Sequence, residues 1–308
     1  MRKAFINKLL KLAEENKKIF LLTSDLGFSV LEKFKDKFPE RFFNMGVAEQ
    51  NMIGVAAGLA LSGKIVFVYS IVPFLTMRCF EQIRNDLCCQ NLNVKLVGAG
   101  GGLSYGSAGP THHALCDIAI MRALPNMKVF APGDPFEAER VTEIAVFSEG
   151  PAYIRLGKNH EPKVYSESLR FNINEGIVLR NGNDITIFTT GNMLYNAKLA
   201  VDKLSEKNID ARLVSMPTIK PLDKNIISKA AKETKVIFTI EEHSLIGGLG
   251  SAVAEVLAES ENKISFKKIA LPDKFCEDVG NQEYLREKNG LSVAKIIDYI
   301  LKNLKNEK

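Results

Sequence analysis

The first residue with clear chemical potential is an acid beside an apolar run. Glu49 lies within residues 43–60, whose later half is rich in glycine and alanine and apolar nearly all round. That composition predicts a helix buried against other backbone. A carboxylate at the mouth of such a helix is costly to bury unless it meets a partner or stays protonated. The alternative is an ordinary acidic residue in a first helical turn, where the helix dipole favours it.

A second stretch, residues 98–113, is a glycine-rich loop that ends in Gly-Pro-Thr-His-His. It follows a predicted strand, and open α/β sheets bind ligands at the carboxyl ends of their strands. His112 and His113 can donate, accept or move protons near neutral pH. The loop lacks both GxGxxG followed by a helix and GxxxxGK[ST], so it predicts neither a dinucleotide site nor a Walker-type phosphate loop. A structural role for the two histidines stays open.

A third stretch, residues 74–86, carries large apolar side chains. Phe74, Met77 and Phe80 fall at helical spacing with Ile83, so the pattern places them on one face. Core packing is the ordinary explanation for such a stripe. Proximity to the first two stretches would instead make it a platform on which a ring stacks.

Length and composition describe the chain that carries these residues. At roughly 150 residues per domain, 308 residues predict about two domains. A hydrophobic fraction of 46% and a charged fraction of 25% are typical of globular proteins. The net charge of +5 is scattered in short mixed runs, which favours a solvated surface over nucleic-acid binding.

Cysteine usage and hydropathy bear on location. The five cysteines include no CxxC and no metal-ligand spacing with the four histidines, which predicts reduced thiols in a cytoplasmic protein. The longest strongly apolar stretch, residues 65–77, contains a proline and falls short of the roughly 20 residues that a spanning helix needs. We therefore expect no membrane association.

Short β-rich runs alternate with helical patterns along the whole chain. This alternation predicts an α/β fold with mostly parallel sheets flanked by helices. A polar, aperiodic stretch then separates a first domain from a smaller α/β domain, with expected boundaries of 1–160, 161–176 for the linker and 177–308. The predicted strands are 19–22, 65–69, 94–97, 127–130, 153–156, 185–189, 211–215, 236–240 and 264–269, and the helices of the second domain are near 194–205, 225–232, 251–258 and 293–304.

Taken together, these motifs resemble the C-terminal half of transketolase. The resemblance runs in the same order along essentially the whole chain, through residues 42–63, the aromatic segment, residues 102–139 and the segment IEEHSLIGGLGSAVAE at 240–255. It implies a thiamine-diphosphate pyrimidine-binding fold followed by a transketolase C-terminal domain. The implied cofactor is thiamine diphosphate.

One family motif is absent from this sequence. The family's diphosphate-binding domain carries Gly-Asp-Gly, followed some two dozen residues later by an Asn, and these hold the metal and the phosphates. Here Gly133-Asp134 continues as Pro-Phe. The chain thus resembles a split transketolase whose N-terminal half is a separate subunit. That implies a heterotetramer, with no metal ligands on this chain and Mg²⁺ ligands on the partner.

The resemblance also assigns cofactor contacts. Glu49 is implied as a catalytic residue that faces N1′ of the aminopyrimidine and favours its imino tautomer. Phe74 and Phe80 are implied to stack on that ring. Because this segment looks longer than the family's by a residue or two, Met77 or Arg78 can take one of those positions.

Further site residues follow from the same resemblance. Asp25, at the end of the first strand, matches an acidic residue of the cofactor pocket or subunit contact. His112 matches a histidine that is implied to be catalytic and that contacts substrate oxygens near the reacting carbonyl, and the adjoining His113 is implied to bind substrate as well. The phosphate-binding arginine of the family has no clean match, although Arg155 or Lys158 could bind the substrate.

The implied reaction moves a two-carbon ketol unit from a ketose to an aldose. Ala108 and Gly100 stand where many transketolases have an Asp and a His, so we expect a roomier pocket and an unusual sugar, for instance one used in glycan synthesis. Three alternatives remain: the β subunit of a 2-oxo-acid dehydrogenase, a relative of deoxyxylulose-phosphate synthase, and a regulatory relative without turnover. The position of Met1 just before the first helix favours a separate subunit over a synthase fragment.

Overall fold

The protein is described here by a computed structural model that covers residues 1–158, 161–166 and 171–305. The first half of the chain alternates strands with helices, and a π-helical turn at 83–88 follows α5. In chain order its elements are α1 Arg2–Glu15, β1 Ile19–Thr23, α2 Glu32–Lys37, β2 Phe42–Asn44, α3 Glu49–Leu61, β3 Ile65–Ile71, α4 Val72–Thr76, α5 Phe80–Gln82, β4 Val94–Ala99, α6 Asp117–Ala123, β5 Lys128–Phe130, α7 Pro135–Phe147 and β6 Ala152–Leu156.

The second half of the chain continues the same alternation. Short 3₁₀ turns occur at 39–41, 106–108 and 110–112 in the first half and at 191–193 in the second. The elements of the second half are β7 Ile177–Arg180, β8 Ile185–Thr189, α8 Leu194–Ser205, β9 Ala211–Ser215, β10 Thr218–Lys220, α9 Lys224–Glu233, β11 Val236–Ser244, α10 Leu249–Ala258, β12 Ser265–Leu271, α11 Gln282–Lys288 and α12 Val293–Lys305.

These strands form two sheets. The first has the order β10-β5-β6-β4-β3-β1-β2 and the second β12-β11-β8-β9-β7. The neighbouring strands in these two sheets are parallel except β10 with β5 and β7 with β9. The expected α/β layout of two consecutive, mostly parallel sheets with helices is confirmed. The boundaries at 160 and 177 stay predictions, and residues 159–160, 167–170 and 306–308 lie outside the described residues.

The predicted strands and second-domain helices are present, several with the expected bounds. Strands β2, β7 and β10 were not predicted; each is only three or four residues long, and so short a run rarely displays a period of two. β10 lies in the second half of the sequence but extends the first sheet, where Thr218 pairs with Phe130. The two halves of the chain therefore share a sheet edge as well as side-chain contacts.

Burial is heaviest in the central strands. Every residue of β4 and β6 is buried, as expected for parallel strands covered on both faces. Helix α3 departs from the expectation that it is buried all round. Ile53 and Ala56 pack into the core, but Gly54, Gly58 and Leu61 are exposed, and a Cβ built on either glycine meets nothing within 4 Å. One face of this helix is thus left uncovered by the described part of the chain.

Candidate active site at the carboxyl ends of the first sheet

Glu49 lies at the carboxyl ends of β1 and β3. It is the first residue of α3 and is 2% exposed. Its Oε1 atom lies 3.4 Å from the hydroxyl oxygen of Ser24, the residue that directly follows β1. The Ser24 hydroxyl in turn lies 3.0 Å from the hydroxyl of Ser70 in β3. The local sequence places an acid at a helix N-terminus, and the parallel sheet brings it to the edge where such folds bind ligands.

Arg78 supplies the partner that the buried carboxylate requires. Its Nη1 atom donates to Oε2 of Glu49 at 2.7 Å, and its guanidinium carbon lies 4.6 Å from the centroid of the Phe74 ring. The Arg78 side chain is 45% exposed. A flat group that carries N–H donors therefore fits between the Glu49 carboxylate and the face of Phe74. The ion pair between Arg78 and Glu49 offsets the free-energy cost of burying the Glu49 carboxylate.

The predicted aromatic stripe is only partly continuous. Helix α4 ends at Thr76 and α5 begins at Phe80, so the expected uninterrupted helical face is wrong. Phe74 is half-buried and lies under the Arg78 guanidinium, whereas Met77 is 41% exposed. Phe80 packs against the hydrophobic core of the first sheet. Among these three side chains, Phe74 is the one whose ring contacts both Arg78 and His112.

The glycine-rich loop places His112 beside the same aromatic ring. The centroids of the His112 and Phe74 rings are 5.1 Å apart, in an edge-on arrangement. The Tyr105 ring lies 5.9 Å from His112, and the ammonium of Lys158 lies 4.0 Å from the Tyr105 centroid. The structure therefore brings together three separate stretches of sequence and adds Lys158 at their edge.

Arg155 is not available in the same way. It is 3% exposed, and its Nε atom donates to Oδ2 of Asp117 at 2.8 Å. Its Nη2 atom donates to the carbonyls of Ala114 and Glu242. Because the guanidinium is buried and bound to protein groups, the geometry weighs against Arg155 as a substrate ligand. The half-buried Lys158 is the more accessible cation of the pair.

His113 and Asp25 occupy contrasting environments. His113 is 3% exposed, its burial lowers its pKa, and neither ring nitrogen has a partner at hydrogen-bonding geometry within the described residues. Asp25 is exposed, adopts a left-handed φ of 54°, and accepts a hydrogen bond from Nδ2 of Asn44 at 3.0 Å. The Glu49 carboxylate is hydrogen-bonded to Ser24 and Arg78 rather than to either of these residues. The roles of His113 in substrate binding and of Asp25 in the cofactor pocket therefore stay predictions.

Tyr105 is a site residue that sequence reasoning missed. Gly100 has a φ of +88°, and a Cβ built there would lie 2.1 Å from Cε2 of Tyr105. The tyrosine ring therefore fills the space beside Gly100, and the expectation of extra room at this position is wrong. The sequence did offer one signal for Tyr105: it is the one aromatic residue of 98–113 besides the two histidines.

Within residues 1–158, 161–166 and 171–305, no group of three His, Cys, Asp or Glu side chains is arranged to hold a metal ion. All five cysteines are free thiols. Over the same ranges, no helix combines the length and the apolar character needed to cross a membrane.

Comparison with known proteins assigns both halves of the chain to described families. The family described as "Transketolase, pyrimidine binding domain" matches residues 1–163, and "Transketolase, C-terminal domain" matches residues 174–296. A "Putative transketolase C-terminal section" of Methanocaldococcus jannaschii is 40% identical over 310 residues, covering 100% of this chain and 97% of that protein.

Two further proteins are similar over most of their length. One of the subunits of an apulose-4-phosphate transketolase from Actinobacillus succinogenes is 38% identical over 268 residues, which is 87% of this chain and 86% of that protein. A solved structure described as "Split gene transketolase, inactive beta4 tetramer" superposes with a TM-score of 0.92 at 42% identity. That superposition covers 100% of this chain and 99% of the other.

Proposed function

This chain belongs to the transketolase family, and we propose that it is the C-terminal subunit of a split transketolase that depends on thiamine diphosphate. The enzyme transfers a two-carbon ketol unit from a ketose to an aldose. The observation that carries this proposal is that one flat guanidinium, that of Arg78, contacts both the buried Glu49 carboxylate and the Phe74 ring. The acid and the ring are the two groups needed to hold an aminopyrimidine.

The residues present fit the pyrimidine end of the cofactor. Since the Arg78 guanidinium donates to Glu49 and lies over Phe74, a flat ring with a hydrogen-bonding edge can make the same two contacts. When bound, thiamine diphosphate supplies the chemistry that breaks and forms the carbon–carbon bonds of the sugars. Glu49 would hold a proton at N1′ of the ring, and Phe74 would stack on its face. Met77, Phe80 and Asp25 are proposed to complete that side of the pocket.

Arg78 must leave Glu49 for a ring to bind. We expect Arg78→Ala to tighten thiamine diphosphate binding to the reconstituted enzyme by about 3- to 30-fold, because the ring no longer displaces an ion pair with a half-exposed arginine and a cation–π contact. Calorimetric titration of the cofactor into the mixed subunits measures this change in Kd.

Arg84→Ala is the matched control for that titration. Arg84 is an exposed arginine in the same segment, and its Nη1 atom donates to the neighbouring Asn85 side chain. Its removal should leave cofactor affinity unchanged. Weaker binding in Arg78→Ala than in the wild type would mean that Arg78 holds the cofactor instead of occupying its place.

The substrate side of the proposed site is the glycine-rich loop. His112 is half-buried, lies edge-on to Phe74, and can donate to or accept from substrate oxygens near the reacting carbonyl. His113 and Lys158 are proposed as its neighbours in sugar binding. The ammonium of Lys158 is suited to a substrate phosphate as a point charge.

A separate partner is supported by both sequence and surface. One relative is named as a C-terminal section and the other as a subunit, and the solved neighbour is described as an inactive beta4 tetramer. We propose a cytoplasmic heterotetramer in which the N-terminal subunit supplies the Mg²⁺ and diphosphate ligands. The uncovered face of α3, with Gly54, Gly58 and Leu61, is a candidate contact for that assembly because glycine lets a partner's backbone approach closely.

Activity with mixed subunits tests this function. A ketose donor and an aldose acceptor should give product only when both subunits, thiamine diphosphate and Mg²⁺ are present. A 2-oxo acid with a lipoyl domain serves as the rival substrate pair. Turnover of that pair in place of the sugars would contradict the transketolase proposal.

The acceptor is proposed to be an unusual sugar. The relative named for apulose 4-phosphate supports a split enzyme that works outside the common pentose phosphates. Ala108 is exposed in the turn before His112 and carries no polar group, whereas an Asp there would be left unpaired by an acceptor that lacks a hydroxyl. A polar group left unpaired costs roughly 1–3 kcal/mol where the bound acceptor shields it from water.

We therefore expect the enzyme to use a 2-deoxy acceptor at least as well as its hydroxylated counterpart. The measurement is kcat/KM for the two acceptors, with Ala108→Asp alongside, which should restore a preference for the hydroxyl. A wild-type preference of roughly 100-fold for the hydroxylated sugar, about 2.7 kcal/mol, would show that another group replaces the missing Asp.

A further inference from the structure

A buried glutamate of the second domain reaches into the glycine-rich loop of the first. Glu242 lies in β11 and is 1% exposed. Its Oε1 atom accepts from the backbone N–H of Leu103 at 2.6 Å and from the side-chain amide of Gln282 at 2.8 Å. Its other oxygen accepts from Nε of Arg286, forming a buried ion pair. The carboxylate is therefore held on one side by its own domain and holds the loop on the other.

The loop is closed at the point where Glu242 touches it. The backbone N–H of Ala114 donates to the carbonyl of Gly102 at 2.9 Å, joining the two ends of residues 102–114. Gly102 has a φ of +65°, and a Cβ there would lie 2.4 Å from Oε1 of Glu242, so the close approach requires glycine. Arg155 adds a second tie by donating to the carbonyls of both Ala114 and Glu242.

Other side chains of the second domain hold the same part of the loop. The Asn192 amide donates to the carbonyl of Gly101 and to the hydroxyl of Ser104, both at 3.1 Å. Gln282 also reaches the Ser104 hydroxyl at 3.2 Å. His112 lies within this closed loop, so its placement depends on these contacts. By contrast, the Glu49 carboxylate is held by Ser24 and Arg78 of the first domain.

We propose that Glu242 is a positioning residue for the substrate side of the active site. It acts through Leu103 to hold the glycine-rich loop in the shape that presents His112 beside Phe74. The second domain thereby controls sugar binding while leaving the pyrimidine pocket unchanged. The kinetic part of this inference rests on the proposed function, whereas the loop contact itself does not.

Glu241 provides a matched control. It precedes Glu242 in the same strand, is equally buried, and accepts from the backbone N–H groups of Leu249 and Gly250, both at 2.7 Å. Since successive side chains of a strand point to opposite faces, Glu241 binds the start of α10 while Glu242 binds the loop. Glu241→Gln and Glu242→Gln thus remove equivalent charges with different neighbours.

The first experiment measures backbone hydrogen exchange of residues 101–113 in the isolated chain. We expect Glu242→Gln to raise exchange in the loop by about 10- to 100-fold, the range for losing a hydrogen bond to a charged group. Glu241→Gln should leave the loop unchanged and speed exchange at the start of α10. Equal protection of the loop in Glu242→Gln and wild type would overturn the proposal.

Gly102→Ala perturbs the same contact from the loop side. It keeps the Glu242 charge but places a methyl group against the carboxylate, and it should loosen the loop in the same way. This second variant keeps the test informative if Glu242→Gln folds poorly. Protection of the loop that survives Gly102→Ala would contradict the proposed contact.

The second experiment separates positioning from general damage in the reconstituted enzyme. In Glu242→Gln we expect kcat/KM for the sugar acceptor to fall by about 10- to 100-fold, mainly through KM. A uniform loss of sugar binding raises KM alone. The Kd for thiamine diphosphate should stay within about 2-fold of wild type, because Glu49 is held by residues of the first domain. If Glu242→Gln also weakens cofactor binding, the positioning role is overturned. The same holds if its loop is loosened but the KM for the sugar is unchanged. An inactive wild-type enzyme would refute the proposed function, while the exchange data would still decide whether Glu242 holds the loop.

Discussion

Glu49→Gln should leave the chain folded and lower turnover of the reconstituted enzyme by about 10²- to 10⁴-fold, the usual cost of losing an essential proton-transfer group. The amide keeps the size of the side chain and can still lie between Ser24 and Arg78. It cannot exchange a proton with the ring nitrogen as a carboxyl group does. Single-turnover and steady-state rates with saturating cofactor measure the loss.

The exposed acid Glu81 supplies the control for this substitution. Its exposed carboxylate accepts hydrogen bonds from Gln82 and Asn85, away from the Glu49 ion pair. Glu81→Gln should retain the wild-type rate. Thermal unfolding of both variants shows whether the fold is kept. A wild-type rate in Glu49→Gln would remove Glu49 from the proposed mechanism.

The second large effect concerns cofactor binding by the separate subunits. We expect the isolated chain to bind thiamine diphosphate with a Kd near or above about 1 mM, and the mixed subunits to bind it at least roughly 100-fold more tightly in the presence of Mg²⁺. Stacking on Phe74 and a hydrogen bond to Glu49 are together worth about 2–4.5 kcal/mol before the costs of association, and 1 mM corresponds to about 4.1 kcal/mol.

Calorimetry on each subunit alone and on the mixture tests this expectation. A chelator added to the mixture should return the affinity to that of the isolated chain, because the phosphates are proposed to bind through the metal. Leu61→Arg offers an independent arm, since it places a charge on the uncovered face of α3 and should weaken assembly if the partner binds there. Tight, metal-dependent binding by the isolated chain would contradict the split arrangement.

Local patterns in the sequence predicted the regular elements well. The strands at 185–189 and 211–215 and the helix at 194–205 have the expected bounds, because periodicity and propensity act within a few residues. The motifs also identified the family and singled out Glu49 and the glycine-rich loop. These features depend on residues that are close together in the chain.

What only the tertiary structure decided were the contacts between distant side chains. Arg78 pairs with Glu49 across 29 positions, and the Glu242 carboxylate reaches the N–H of Leu103 across 139. Arg155 was a candidate substrate ligand, but folding buries it against Asp117. No local pattern encodes such contacts, because each one exists only after folding has brought the ends of distant strands together.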